Sequence, residues 1–407
     1  MSLHLFEAYG IELEYMIVDR TTLQARPIAD LLLEDFAGGP ASDLSFGDTA
    51  WSNELVQHVI ELKTDGPAPR LSGLAELFQR DLRRINGALE KRGAAILPTA
   101  MHPWFDPAVE TKIWPHEYTE VYRTFDRIFD CRGHGWSNLQ SMHINLPFTG
   151  ADEFGRLHAA IRLVLPLLPA LAASSPLVEG RVTGLLDNRL AYYRMNSRRI
   201  PSATGQVIPE QVFTPEDYQR EILERIWTDT APLDPEGLLR HEFANARGAI
   251  ARFDRGAIEI RVIDVQECPA ADLAIAELCC AVVQALVEQR LCDTARQKSF
   301  EVPPLHTLFL STRVQGESAV ISDRDYLSAL AFPAGQRRCT AQELWTHLLE
   351  HLGVPRHPSL ELLLRQGTLA TRILKAIGTQ ASRGAQEEVY RALLRSAEEG
   401  RPFTSGG

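Results

Sequence analysis

Residues 10–19, with the sequence GIELEYMIVD, constrain the fold more than any other stretch of the chain. Apolar residues alternate there with Glu12 and Glu14, the period of two that predicts a half-buried β-strand. The two carboxylates would project from one face, roughly 7 Å apart at about 3.3 Å per residue. Glutamate is depleted in strands, so the pair indicates either a solvent-facing surface or oxygen ligands for a hard cation such as Mg²⁺. Three other predicted strands decide between these interpretations.

Residues 54–63 predict a second strand, which carries Glu61 on one face. Glu54 lies an odd number of positions before Glu61, so a regular strand would point the two carboxylates to opposite faces. If both reach one site, Glu54 must precede the strand or lie across a β-bulge. The alternative for Glu54 is a surface carboxylate.

Two further predicted strands, 139–146 and 257–264, have polar faces of the same kind. The first places His143 between Ser and Asn residues, opposite an apolar face, and the second places Glu259 and Arg261 opposite isoleucine and valine. A satisfied structural histidine and a weak surface ion pair are the alternatives for each strand taken alone. Taken together, the four polar faces favour a common site.

These patterns predict an α+β fold, in which a curved antiparallel β-sheet has a polar concave face and is backed by helices. We expect a catalytic sheet-and-helix core over residues 1–300 and a helical C-terminal region packed on it over 301–400, in what we expect to be one domain. Residues 401–407 are predicted to be a disordered tail. Residues 174–209, rich in Gly, Pro and Arg, are expected to be a functional loop or lid.

Several glutamates with one histidine form a ligand set that suits Mg²⁺ or Mn²⁺. Carboxylates at close range repel, so such a cluster needs cations, and divalent ions in turn bind nucleotide phosphates. Arg261 beside Glu259 would meet a transferring phosphoryl group. The sequence contains no G-x-x-x-x-G-K-[ST] loop and no Rossmann glycine fingerprint in a βαβ context. If ATP binds, we expect metals and arginines to hold it.

The net charge and the cysteine pattern limit the kinds of binding partner and the compartment expected for this chain. The net charge of −11 disfavours nucleic acid or an anionic membrane as the main partner. We find no secretory signal and expect no transmembrane segment. The six cysteines form no C-x-x-C pair, which is typical of a protein of the reducing cytoplasm. We therefore expect small-molecule partners. The sequence leaves undecided whether the chain forms a homo-oligomer.

Four motifs in order along residues 5–295 resemble the family-2 glutamate–cysteine ligases, which are carboxylate–amine ligases with a glutamine-synthetase-like fold related to that of guanidino kinases. The motifs are Gly10-Ile-Glu-Leu-Glu14, residues 140–148 (QSMHINLPF), residues 173–176 (ASSP) with 180–184 (GRVTG), and residues 259–264 (EIRVID). Each motif is short, and the ordered set carries the resemblance.

The resemblance implies ATP-dependent amide formation, in which ATP phosphorylates a carboxylate, typically the γ-carboxylate of glutamate, and an amine attacks the acyl phosphate. Arg261 would stabilise the phosphoryl group and, with Glu259, would be catalytic. Arg189, Tyr192 and Arg194 would belong to a substrate or nucleotide loop, the alternative being a solvated loop. The metal-binding set would be Glu12, Glu14, Glu54, Glu61, His143 and Glu259.

Three functions stay open on the sequence alone. The leading one is an ATP- and Mg²⁺-dependent ligase, with cysteine as one candidate acceptor. A guanidino phosphotransferase-like kinase would share the antiparallel sheet but should keep a reactive cysteine near an arginine-rich nucleotide site. A metal-binding regulatory protein that has lost catalysis would not need the complete set of carboxylates, histidine and arginine.

Overall fold

The structure is a computed structural model, which describes residues 2–379 and 381–404. Its centre is an antiparallel sheet in the order β2-β3-β4-β1-β6-β10-β9, with β5 pairing the far end of β1. Two short hairpins, β7-β8 and β11-β12, lie outside it. The strands are β1 Gly10–Asp19, β2 Asp43–Ser45, β3 Thr49–Asn53, β4 Val59–Thr64, β5 Ala94–Leu97, β6 Ser141–Pro147, β7 Leu177–Val178, β8 Arg181–Val182, β9 Ala249–Arg252, β10 Ala257–Asp264, β11 Val320–Ile321 and β12 Cys339–Thr340.

One face of this sheet is covered by helices, and the period-two pattern of its strands explains why. Ile11, Leu13 and Tyr15 of β1 are fully buried, as are Ile144 of β6 and Ile260 of β10, all within one hydrophobic core. The alternate residues of these strands carry the polar groups. The structure therefore confirms the predicted α+β fold with an antiparallel sheet, one polar face and helices behind the other.

The helices lie in the connections between the strands and in most of the chain after β10. They are α1 Ala29–Ala37, α2 Leu74–Glu90, α3 Pro107–Glu110, α4 Thr119–Phe129, α5 His134–Ser137, α6 Gly150–Val164, α7 Pro169–Ala172, α8 Arg189–Asn196, α9 Pro201–Thr204, α10 Pro215–Tyr218, α11 Glu224–Thr230, α12 Pro269–Val287, α13 Thr294–Ser299, α14 Val302–Gln315, α15 Arg324–Ala329, α16 Ala341–Leu352, α17 Pro358–Gln366, α18 Leu369–Ile377 and α19 Arg383–Glu399.

Among the helices of the described residues, α12 is long and apolar enough to cross a bilayer. In its most apolar 18-residue window, 78% of the helix is buried inside the protein. It packs against α2, α6, α16 and α17, as a central core helix does. Leu305 and Phe309 of α14 and Trp345 of α16 belong to the same hydrophobic core, which therefore continues past residue 300.

Two predicted segments differ from the structure. The second strand is shorter than residues 54–63, since β4 begins at Val59 and residues 54–58 connect it to β3. Residues 174–209, expected to be a loop or lid, contain the β7-β8 hairpin and helices α8 and α9. Leu190 and Ile200 from this segment are buried in the core, so much of it is packed structure.

The C-terminal segment is anchored where it is described. Phe403 is buried in the second hydrophobic cluster, its N–H donates to Glu267 Oε1, and its carbonyl accepts from the Arg372 guanidinium. The prediction of disorder for residues 401–407 is therefore wrong for 401–404. The Phe403 side chain packs in a hydrophobic cluster, and its backbone hydrogen-bonds to the buried side chains of Glu267 and Arg372. Residues 405–407 lie outside the described residues.

We predict that Phe403→Ala lowers the free energy of unfolding by about 3 kcal/mol, the usual cost of truncating a buried phenylalanine. Urea denaturation followed by circular dichroism measures the change. Phe403→Leu, which retains most of the buried apolar volume, should cost clearly less. An alanine variant as stable as the wild type would show that the segment is not anchored in solution.

Candidate active site

A cavity of about 580 Å³ opens on the polar face of the sheet. Its walls come from β1, β2, β3, β4, β6, β9 and β10, together with their connections. All six predicted metal ligands and the predicted phosphate-binding arginine line it: Glu12, Glu14, Glu54, Glu61, His143, Glu259 and Arg261. The structure thus brings together side chains separated by up to 249 positions in sequence, from Glu12 to Arg261.

Strand register places these groups next to one another. Glu12 of β1 pairs with His143 of β6, and Glu14 pairs with Glu61 of β4. Glu259 of β10 pairs with Asn145, two residues beyond His143 on the same face of β6. Residues directly opposite in an antiparallel pair have Cβ atoms about 5 Å apart, so their carboxylates and imidazole meet.

Glu54 reaches the cavity because it does not belong to the strand of Glu61. It follows the last residue of β3, Asn53, and begins the connection to β4. The expectation that it precedes the strand is therefore met. Burial and the negative charges of Glu14 and Glu61 raise the pKa of Glu54 well above its usual value.

His143 joins two carboxylates through both ring nitrogens. Its Nδ1 lies 2.9 Å from Glu12 Oε2, and its Nε2 lies 2.9 Å from Ser141 Oγ, which donates in turn to Glu14 Oε2. Burial alone would lower the pKa of His143, but its hydrogen bond to Glu12 and the neighbouring carboxylates raise it to about 9. Burial likewise disfavours the Glu12 carboxylate, yet His143 lowers the pKa of Glu12 to about 2. These contacts favour the protonated ring as long as no cation binds it.

The donor set fits a divalent cation. Donor atoms of Glu12, His143 and Glu259 lie within 4.8 Å of one another, close enough for one ion to touch all three. Burial and the carboxylates of Glu12 and Glu14 raise the pKa of Glu61 to about 7. Oxygen ligands with one imidazole suit Mg²⁺ or Mn²⁺.

Arg261 projects into the cavity beside Glu259, with its Nε 3.0 Å from Glu259 Oε1. The cavity also contains basic residues that the sequence analysis missed. Arg252 donates to Glu259 Oε2, Lys63 pairs with Glu61, and the exposed Arg255 lines the rim. The alternation of β9 and the β9-β10 hairpin over residues 249–264 could have indicated Arg252 and Arg255.

The three residues predicted to form a substrate or nucleotide loop do not line this cavity. Arg189 is only 1% exposed and pairs with Asp264, so its guanidinium is buried beside the site and does not open to the cavity. Tyr192 packs against His134 with ring centroids 4.8 Å apart, and Arg194, also on α8, is half-buried near His306 and Arg313. The structure therefore does not bring these three residues to the cavity, because α8 packs their side chains elsewhere.

Comparison with known proteins identifies the family. The model of glutamate–cysteine ligase family 2 matches residues 8–392. The chain belongs to this family. An uncharacterised protein of Archaeoglobus fulgidus is 34% identical to this chain over 289 residues, which are 71% of this chain and 77% of the relative.

Solved structures of two ligases share the fold of this family-2 chain. The glutamate–cysteine ligase of Francisella tularensis, solved in complex with AMP, is 12% identical with a TM-score of 0.54 and covers 96% of this chain and 91% of its own. The bifunctional glutathione synthetase of Pasteurella multocida is 15% identical with a TM-score of 0.55. That match covers 97% of this chain but 53% of the enzyme, so the family-2 chain spans about half its length.

The raised pKa values predict how pH and a divalent ion act together on this family-2 protein. Folding raises the pKa of Glu61 from 4.5 to about 7 and that of His143 from 6.5 to about 9. The folded state then binds more protons than the unfolded state, so both groups lose stabilisation as the pH rises, between about 4.5 and 7 for Glu61 and between about 6.5 and 9 for His143. A bound ion replaces these protons, so its stabilising effect should grow with pH.

We predict that Mn²⁺ raises the melting temperature more at about pH 8 than at about pH 5.5, because fewer protons then compete for the ligands. Differential scanning calorimetry measures both shifts. Glu61→Gln should reduce the pH dependence, whereas Glu350→Gln, at an exposed position far along α16, should not. Equal shifts at both pH values would contradict the assignment of these carboxylates.

Proposed function

We propose that this protein is an ATP-dependent ligase that forms an amide between a carboxylate substrate and an amine through an acyl phosphate. The observation that carries the proposal is the convergence of five glutamates, one histidine and Arg261 in a single cavity of a family-2 chain. We further propose glutamate, through its γ-carboxylate, as the carboxylate substrate. A small amine or amino acid, with cysteine as one candidate, would be the acceptor.

The reaction needs two bond exchanges in this cavity. A carboxylate oxygen attacks the γ-phosphorus of ATP and ADP leaves, which gives the acyl phosphate. The amine nitrogen then attacks the acyl carbon, phosphate leaves, and the nitrogen loses a proton to form the amide. Both steps move negative charge between oxygens, so their rates depend on positive groups arranged in advance.

The residues divide into two groups by charge. Glu12, His143 and Glu259 would hold one divalent ion, with Glu14, Glu54 and Glu61 available as further ligands. Mg²⁺ bound there would neutralise phosphate charge. The AMP bound in the glutamate–cysteine ligase of Francisella tularensis supports nucleotide use by this fold.

Arg261 would stabilise the charge that develops on the transferring phosphoryl group. Its guanidinium is held by Glu259 at 3.0 Å and keeps about a quarter of its side-chain surface open to the cavity. Arg252 contacts the other carboxylate oxygen of Glu259. Glu259 is therefore clamped between two arginines, which limits its rotamers and, with them, the position of Arg261.

The guanidino phosphotransferase alternative has less support. That reaction class calls for a reactive cysteine near the nucleotide, and all six cysteines of the chain are buried. None of them is among the residues that line the cavity. Burial also raises the pKa of Cys279, which disfavours its thiolate.

We predict ADP release that depends on Mg²⁺, a carboxylate and an amine together. A coupled spectrophotometric assay with glutamate and a panel of amino acids and amines measures the rate above the background with ATP alone. Mass spectrometry of the product should show the amide. Absence of release above background with any acceptor would count against a glutamate ligase.

We predict that Arg261→Ala lowers kcat by about 10³-fold or more, since a single arginine at a transferring phosphoryl group contributes about 10³–10⁵. The variant should remain folded by circular dichroism. Arg356→Ala removes an exposed arginine that pairs with Glu350 and should leave kcat unchanged. Unaltered turnover in Arg261→Ala would remove Arg261 from the mechanism.

A further inference from the structure

Strand β10 contains a β-bulge at the residue that projects into the cavity. Ile260 pairs with Ile144 and Ile263 pairs with Met142, so Arg261 and Val262 together oppose His143. A bulge re-aims side chains and leaves backbone groups without ladder partners. It also shifts the alternation by one, which puts Asp264, the partner of Ser141, on the same face of the sheet as Glu259.

The bulge leaves the backbone carbonyl of Arg261 without a donor from the neighbouring strand, although the N–H of the same residue is paired. Its N–H donates to the carbonyl of Gly248, 2.9 Å away, as a continuation of the β9 pairing. The N–H of Gly248, which would complete that pair, donates instead to the carbonyl of Val207 at 2.7 Å. A Cβ at position 248 would lie 2.9 Å from Val262 Cγ1, so only glycine lets the two strands approach this closely.

Arg189 supplies the missing donors. Its Nη1 and Nη2 lie 3.3 and 3.2 Å from the carbonyl oxygen of Arg261, and its Nε donates to Asp264 Oδ1 at 2.5 Å. One buried guanidinium therefore bridges the two flanks of the bulge. Asp264 in turn accepts from Ser174 N and Ser175 Oγ, which ties the bridge to the segment before β7.

We infer that Arg189 is a positioning residue that sets the conformation of the β10 bulge and thereby aims Arg261 into the cavity. This inference rests on the proposed function for its effect on catalysis, while its effect on the bulge is independent of that function. Arg189 does not contact the cavity, so it acts through the Arg261 backbone and not through the substrate.

Arg189→Lys tests the inference, because an ammonium keeps the charge beside Asp264 but cannot present the planar fork that joins two acceptors. Arg162→Lys is the matched control. Arg162 is equally buried and donates from Nε to Pro209 O and from Nη2 to Phe300 O, away from the cavity. If Arg189→Lys does not fold, Asp264→Asn, which weakens the other end of the bridge, takes its place.

The first measurement is amide hydrogen exchange by mass spectrometry on peptides that cover residues 257–264. We expect exchange there to quicken by about tenfold in Arg189→Lys relative to the wild type, through local opening of the bulge. Arg162→Lys should leave these peptides unchanged. Unaltered exchange of β10 in a folded Arg189→Lys protein would overturn the inference, whether or not the protein is a ligase.

The second measurement is a double-mutant cycle on kcat with Arg261→Lys, a variant expected to retain measurable turnover. Arg189→Lys alone should lower kcat by about 10-fold to 100-fold, with KM for ATP changed by less than about threefold. In the Arg261→Lys background the same substitution should cost much less, because both act through one guanidinium. If Arg189→Lys lowers kcat by the same factor in the wild type and in the Arg261→Lys variant, Arg189 has a general structural role and the inference is overturned. A wild-type protein without ligase activity would refute the proposed function. The hydrogen-exchange measurement would still test the inference about Arg189.

Discussion

The crowding of five carboxylates on one buried face of the sheet is the constraint on which the site depends. Like charges at this range repel, and burial removes the water that would screen them. The side chains of His143, Lys63, Arg252 and Arg261 offset part of the charge. Burial, together with the neighbouring carboxylates, raises the pKa of Glu61 and Glu54. Such a cluster is stabilised when protons or divalent ions supply positive charge, so the same repulsion between carboxylates would favour the binding of cations.

Sheet register converts sequence alternation into this cluster. A slip of one residue between β1 and β6 would turn Glu12 and Glu14 toward the core and expose Ile11 and Leu13. The fully buried apolar face therefore selects the register, and the polar face follows from it. The helices that cover the apolar face contribute no residue to the cluster, yet they determine which carboxylates meet.

Alternation along the strands identified the groups on the polar face, whereas the positions of other groups depend on tertiary contacts that the sequence does not show. Glu12, Glu14, His143 and Glu259 follow from alternation, because a strand has only two faces. The route of Glu54 into the cavity depends on β3, whose five residues give too short a pattern to recognise. The sequence could not place Arg189, since its buried position depends on Asp264, 75 positions away. Local periodicity carries no information about such a partner.

The Arg189–Asp264 pair shows why a buried ion pair can matter more for geometry than for stability. Removing two charges from water costs about as much as their attraction returns, so the pair adds little net stability. A planar guanidinium that must satisfy a carbonyl at residue 261 and a carboxylate at residue 264 fits only a narrow range of bulge conformations. Arg261 is thus presented to the cavity before any substrate binds. Positive charge arranged in advance needs no reorganisation during the reaction, which is the condition under which it accelerates phosphoryl transfer most.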